Sequence, residues 1–439
     1  MNYETKQRIR KFFYMLFILS FFPAIQAQEK LTLEDAVNMA LKNNFDILVA
    51  NNSASISKVN NTRGNAGMLP SVALVGSGNY SLNNRYQKNT DGTSSTSPSL
   101  NTTSLSAGAE LSWTLFNGGK MFVTKNKLNE IQSLGEIQYR DKVLQTLFNV
   151  IAAYYDVVRQ NQQLKSINEA LNYNRERVKI TQAGFNAGSL IKPDLLQAQI
   201  DLNVALESSI NQKFIIIQAN KTLNQILSLT KDTNFDISDS IQLNYTPNRN
   251  ELIQKLNSSN TSILTFQKQI EIADLTIKEF KTGYLPVVGF NAGYYFSQST
   301  NTNASIAQNR LIGPQVGGTV VIPLFSAGEN KRKIAVAKLE SETATYDLQN
   351  IKLQVNTLLE NTLTDFENQQ KLLEIETENN ELAIENIKIC LERLRLGQTT
   401  SLEVHIAQED FVQSNTRLID FRYNLKLAET KLKQLVSGL

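Results

Sequence analysis

The chain repeats itself, and no other feature constrains its fold so tightly. Residues 67–80 read GMLPSVALVGSGNY and residues 283–296 read GYLPVVGFNAGYYF. Aligning Leu69-Pro70 with Leu285-Pro286 sets an offset of 216, which also carries Asn44 onto Asn260. Farther on, Leu115-Phe116 in TLFNGGK answers Leu324-Phe325 in PLFSAGE at an offset of 209. That offset then holds without a gap from Gly119 and Gly328, through Gly188 and Gly397, to Leu223 and Leu432. Register kept over so long a stretch is the mark of a tandem duplication of a unit of about two hundred residues. The division read from it is a leader over 1–27, a first repeat over 28–229, a connecting segment over 230–250 and a second repeat over 251–439.

Each unit reads as helix, strand, polar loop, strand, very long helix, turn and second long helix. The strand signal is strict alternation. Ala107, Ala109, Leu111, Trp113 and Leu115 fall on one face of 106–116, with Ser106, Gly108, Glu110, Ser112 and Thr114 on the other. Val288, Phe290, Ala292, Tyr294 and Phe296 alternate with Gly289, Asn291 and Gly293, and Val316, Val320, Ile322 and Leu324 oppose Thr319. About ten residues of alternation suit a tilted strand crossing a bilayer with one face on lipid and one on water. Leu111, Trp113, Phe290 and Ile322 are the expected lipid-facing residues. Segments 81–105 and 297–313, rich in Ser, Thr and Asn, read as polar loops.

The helices are unusual in length. No proline interrupts the chain between Asn117 and Lys192, and about 65 residues at 1.5 Å each span roughly 100 Å. The return helix of the second unit carries a heptad seam of Val404, Phe411, Leu418, Leu425 and Leu432 beside Ala407, Ser414, Phe421, Ala428 and Leu435. Leu195, Leu202, Ile216 and Leu223, beside Ala198, Ala205, Ala219 and Ile226, keep the same register in the first unit. Four strands cannot close a barrel, so the chain must close with copies of itself; two, three or four would supply eight, twelve or sixteen strands.

Composition removes other classes. The cations of KQRIRK and the apolar run ending at Ala27 read as a secretory leader, and no cysteine follows it to carry a lipid. With Lys6, Arg8, Arg10, Lys11 and Glu4 gone, bases and acids balance, which argues against a nucleic-acid partner. One cysteine, Cys390, makes no internal disulfide, and one histidine with one cysteine excludes a zinc site of the usual kind. No segment after the leader has the apolar length of a membrane helix. There is no phosphate-cradling loop and no nucleophile elbow, so no enzyme and no cofactor is expected.

The motifs LTLEDAVNMALKNN (31–44), both Leu-Pro strand starts, both LF-x-x-G strand exits, FNAGSLIKPDLLQAQ (185–199), LRLGQTTSLEVHIAQ (394–408) and FRYN (421–424) together resemble the TolC family of outer-membrane efflux proteins. The resemblance runs almost end to end. It implies a mainly α fold with a membrane β-barrel: a homotrimer with a twelve-stranded barrel in the cell outer membrane and an α-helical tunnel in the periplasm. It implies an exit duct for a tripartite efflux or type I secretion system, with a periplasmic adaptor and an inner-membrane pump of the RND, ABC or MFS kind as partners. Residues 230–250 resemble the family's equatorial segment, and the chain ends at Leu439 without a long tail.

Gly188, Ser189, Gly397 and Gln398 stand in the two turns that the resemblance assigns to adaptor docking; for the glycines, helix capping is the plain alternative. Asp194 and Glu403 occupy the starts of the return helices, where a carboxylate is favoured by about 0.3–1 kcal/mol. The resemblance places an acid at Glu403 in the narrowest part of the pore and a second at the position of Ile406. It gives Asp194 basic partners at Arg422 and at the position of Thr399. This chain keeps one of each pair. His405, without a second histidine or a nearby cysteine, reads as an ordinary polar side chain. The competing reading of the whole is a coiled-coil surface or structural protein with a barrel anchor, and strands inside both repeats weigh against it.

Overall fold

The computed structural model describes residues 31–230, 235, 237, 240–302 and 306–439. The expected leader over 1–27 lies outside the described residues, as does part of 230–250. The element order is helix α1 (Leu33–Asn43), α2 (Phe45–Asn60), strands β1 (Ser71–Lys88) and β2 (Ser94–Asn117), helices α3 (Lys120–Asn186) and α4 (Lys192–Ile226), then α5 (Arg249–Ser259), α6 (Thr261–Lys281), β3 (Val287–Thr302), β4 (Gln308–Val321), α7 (Glu329–Arg395) and α8 (Ser401–Leu435). The second half restates the first even in length. Both α3 and α7 have 67 residues, and both α4 and α8 have 35. The described residues form two compact units, each from parts of both repeats: 31–44, those of 149–244 and Asn368–Leu427 in one; Phe45–Phe148, those of 245–367 and Ala428–Leu439 in the other.

The second of these units holds a single antiparallel sheet in the order β1-β2-β3-β4. Cross-strand partners share a face, so the register sorts the side chains. Val72, Leu111, Ala292 and Val316 form one row, and Leu74, Ala109, Tyr294 and Pro314 the next. On the opposite face Ser71, Ser112, Asn291 and Gly317 form a row, followed by Ala73, Glu110, Gly293 and Gln315. One face is apolar and the other mostly small or polar, with the Ser77 and Ser106 hydroxyls 2.8 Å apart on it. The apolar face is uncovered within one chain: Leu74 is 88% exposed and Val316 75%.

Three details differ from expectation. Segments 81–105 and 297–313 are largely strand, because β1 and β2 run 18 and 24 residues and their ladder continues to Lys88 opposite Ser94. Backbone hydrogen bonds hold these polar stretches where side-chain alternation gives no sign of a strand. A bulge between Thr114 and Phe116 makes Leu115 the extra residue and pairs Phe116, not Leu115, with Val288. Ile322 stands one residue past the end of β4, because Pro323, lacking an N–H, follows it.

In the other unit, α1 opens on a capping box in which the Thr32 hydroxyl accepts from the Asp35 N–H at 3.1 Å. Ala36 and Ala40 pack with Val150, Tyr154, Val157, Leu223 and Leu227, and Phe235, Ile237 and Ile241 of the connecting segment join this core. The heptad positions of α8 close inward, with Val404, Phe411, Leu418, Leu425, Ala407 and Ser414 all buried. Asn44 and Asn260, paired by the repeat, do one job twice. Within the first unit the Asn44 amide donates to the Ile226 carbonyl at 2.7 Å; within the second, Asn260 donates to the Leu435 carbonyl at 2.8 Å. Each ties the break between two short helices to the last turn of a return helix.

Candidate functional site

The two long helices turn back through the same motif. After α3, the Ser189 N–H reaches the Gly184 carbonyl at 2.9 Å and the Gly188 N–H the Phe185 carbonyl at 3.1 Å. After α7, Gln398 reaches Arg393 at 2.8 Å and Gly397 reaches Leu394 at 3.1 Å. These are paired Schellman bonds closing on a left-handed residue. Gly188 has φ +74° and Gly397 φ +68°, and neither has any atom within 4 Å of where a Cβ would stand. Glycine is needed there for its backbone, not for space. Gly188, Ser189, Gly397 and Gln398 are all exposed.

Between the turns lies a cleft of about 720 Å³ whose lining includes Ser189, Asp194, Gly397, Thr399, Glu176 and Arg395. Arg395 reaches across from α7 to Glu176 on α3 at 2.9 Å. Asp194 stands in the first turn of α4, which has Pro193 and no side-chain cap. Glu403 starts α8 in an exposed position; its N–H donates to the Thr400 hydroxyl at 3.2 Å, and its carboxylate accepts from the Thr399 hydroxyl. Arg422 is elsewhere. It lies 21 residues into α8, about 32 Å along the helix, and has no hydrogen bond or ion pair with any described residue. One protomer brings Asp194, the turns and Thr399 together but not Arg422.

Sequence reading missed the charge cluster above the cleft. Arg177 of α3 is 1% exposed. It donates to Asp201 of α4 at 2.7 Å and to Ser401 and Gln408 of α8 at 3.0–3.2 Å. His405 Nδ1 lies 3.0 Å from the same Asp201 oxygen and its Nε2 3.5 Å from Glu409. The lone histidine therefore joins helices α8 and α4. Nothing in the run NYNRERVK marks Arg177 as the buried cation; only its place on the α3 face meeting both partners does so.

A second link ties α7 to α8, where Arg417 donates two bonds to Glu376 at 3.0 and 3.1 Å. Burial, the largest single influence, would raise the Glu376 carboxyl, but the bonds and charge of Arg417 together with the neighbouring Ser414 and Asn379 side chains hold the group below its ordinary value. Burial pushes the Cys390 thiol up, away from reactivity. Among the described residues no cluster of three or more His, Cys, Asp or Glu side chains is arranged to hold a metal, and no helix is long and apolar enough to cross a membrane.

Trp113 pairs with Phe290 on the apolar sheet face, and its indole N–H donates to the Met68 carbonyl at 3.0 Å. Leu111 lies two residues deeper, between Val72 and Ala292.

Residues 36–228 and again 242–438 match the outer membrane efflux protein family. The outer membrane efflux protein BepC of Brucella suis is 21% identical over 328 residues, spanning 74% of this chain and 70% of its own. The outer membrane protein TolC of Vibrio cholerae is 20% identical over 416 residues, spanning 93% and 91%. The solved outer membrane protein VceC of Vibrio cholerae superposes with a TM-score of 0.76 at 13% identity, covering 92% of this chain and 96% of that one, a likeness of fold.

Proposed function

The chain belongs to the outer membrane efflux protein family, and from that premise we propose that three copies close a twelve-stranded barrel in the outer membrane, continued by a helical tunnel into the periplasm. The assembly serves as the passive, gated exit duct of a tripartite efflux or type I secretion system. In this reading 28–229 and 251–439 are the two repeats, joined by 230–250.

The observation that carries the proposal is the sheet. Its outer strands β1 and β4 have free edges, one face is apolar and uncovered, and the other is small or polar. An open sheet of this kind invites aggregation, and closure on further copies removes every edge while placing the apolar face on lipid. The helices agree. In their unit α3 and α8 are bonded to each other and to flanking helices α4 and α7. The flanking pair leaves Leu196, Ile200, Ile210, Phe214 and Ile217 exposed on α4 and Ile375, Leu382 and Ile389 exposed on α7, with Leu396 exposed just past its end. The second set recurs every seven residues, and the first falls on two heptad positions, Leu196, Ile210 and Ile217 on one and Ile200 and Phe214 on the other, so α4 of one copy can seat against α7 of the next, a head-to-tail contact that closes into a ring.

The turns and their cleft are the docking surface for a periplasmic adaptor, through which an inner-membrane pump delivers cargo. Threefold symmetry gathers three copies of Glu403 about the narrow end, where like charges attract cations. With Ile406 and Thr399 in place of a second acid and a base, the closed state is held less firmly than the family pattern implies. The protein acts as a channel and not as an enzyme, in keeping with BepC, itself named an outer membrane efflux protein. The purified protein in planar bilayers should give uniform conductance steps that trivalent cations block from the periplasmic side, and Glu403→Gln should weaken the block. Folded, inserted protein that passes no current would sink the proposal.

A further inference from the structure

The four strands contain 72 residues, of which only Arg85, Lys88, Glu110 and Arg310 are charged. Arg85 and Lys88 are at the hairpin end of β1, and Arg310 shares the apolar face with Ile312 near the start of β4. Glu110 is different. It is on the small and polar face, paired with Ala73 on one side and Gly293 on the other. It lies within the stretch from Leu105 to Trp113 whose alternate residues make the apolar band.

Its surroundings leave the carboxylate without a counter-charge. The neighbours on its face along β2 are Gly108 and Ser112, and across the ladder they are Ala73 and Gly293. Glu110 makes no hydrogen bond or ion pair with any described residue. The nearest aromatic ring on this face, Tyr295, lies down along the wall over Gly108 and Gly293. A Cβ on Gly108 would stand 2.5 Å from its Cδ1, and a Cβ on Gly293 would stand 2.5 Å from its Cε2. Both glycines make room for a ring that would otherwise project from the face.

We propose that Glu110 is a charge filter in the barrel itself: three copies form a ring of free carboxylates on a smooth, glycine-lined bore and give it a preference for cationic over anionic solutes. This inference rests on the barrel reading above and adds a second selective element, separate from Glu403 at the helix turns. A fixed charge on a polar wall backed by low-dielectric lipid raises the local concentration of counter-ions. The one cation on the same face of the strands, Arg85, stands twelve residues along β1 from Ala73, about 40 Å at strand rise, well beyond the screening length at physiological salt, so it does not cancel the charge.

The test is the reversal potential of the full-length protein in planar bilayers under a potassium chloride gradient. Glu110→Gln should move it toward zero. In a Cys390→Ser background, Glu110→Cys should regain cation preference when labelled with an anionic, water-soluble thiol reagent and lose it further with a cationic one. A reversal potential unchanged by Glu110→Gln, in a protein whose Glu110→Cys form is labelled from water, overturns the filter and leaves the barrel intact. If Glu110→Cys resists water-soluble reagents while Leu111→Cys accepts them, the assignment of the two faces fails and the filter falls with it.

Discussion

Arg177 holds three helices together through one buried guanidinium. Removing it leaves Asp201 beside His405 and Gln197 alone, and strands the buried Gln408 and Ser401 around the missing cation. Breaking a buried pair from one side costs about 3–5 kcal/mol. Arg177→Met should therefore lower the thermal midpoint of the helical circular dichroism clearly, and a midpoint equal to wild type would show the cluster to be ornamental. At the same scale the sheet faces make a graded prediction. A charge on a lipid-facing strand costs about 2–4 kcal/mol at the midplane and less near the interface. Leu111→Arg should reduce folded protein in the outer membrane most, Trp113→Arg less, because it lies nearer the strand end, and Ser112→Arg on the opposite face least. Equal loss at Leu111 and Ser112 would contradict the face assignment.

Among the elements, the turns carry the sharpest backbone requirement. Any L-residue at φ +68° is strained by about 1–2 kcal/mol, so Gly397→Val should loosen the turn, weaken adaptor crosslinking and export, and leave assembly untouched. Export at the wild-type level would make the turn a cap and nothing more. The elements also show what a sequence can and cannot reveal. Heptads and alternation were legible because each buries one face: Phe411 and Leu418 must point inward, and Leu111 and Trp113 must share a side. The repeat alone pairs Asn44 with Asn260, whose common role is a bond to a helix end. The upper halves of the hairpins were not legible, since residues such as Asn83, Asn84 and Thr96 are polar on both faces and their strand form rests on the backbone ladder. Nor was the bulge at Leu115, which shifts the parity of Phe116 without any glycine to announce it. The bond between Arg177, Asp201 and His405 joins residues far apart in the chain, and only packing brings them together.

For the whole molecule, duplication and closure are one argument. A unit of two strands and two long helices, written twice, gives a sheet with two free edges and a helix bundle with two apolar flanks, and neither is complete in a single copy. The edges ask for strands and the flanks ask for helices, and a ring of copies supplies both at once. The central claim is thus the number of copies, and the mass of the detergent-extracted complex, by native mass spectrometry or light scattering, tests it most directly. The account predicts a single species of three chains that resists dissociation. A stable, folded monomer, or a closed ring of two or four, would contradict it.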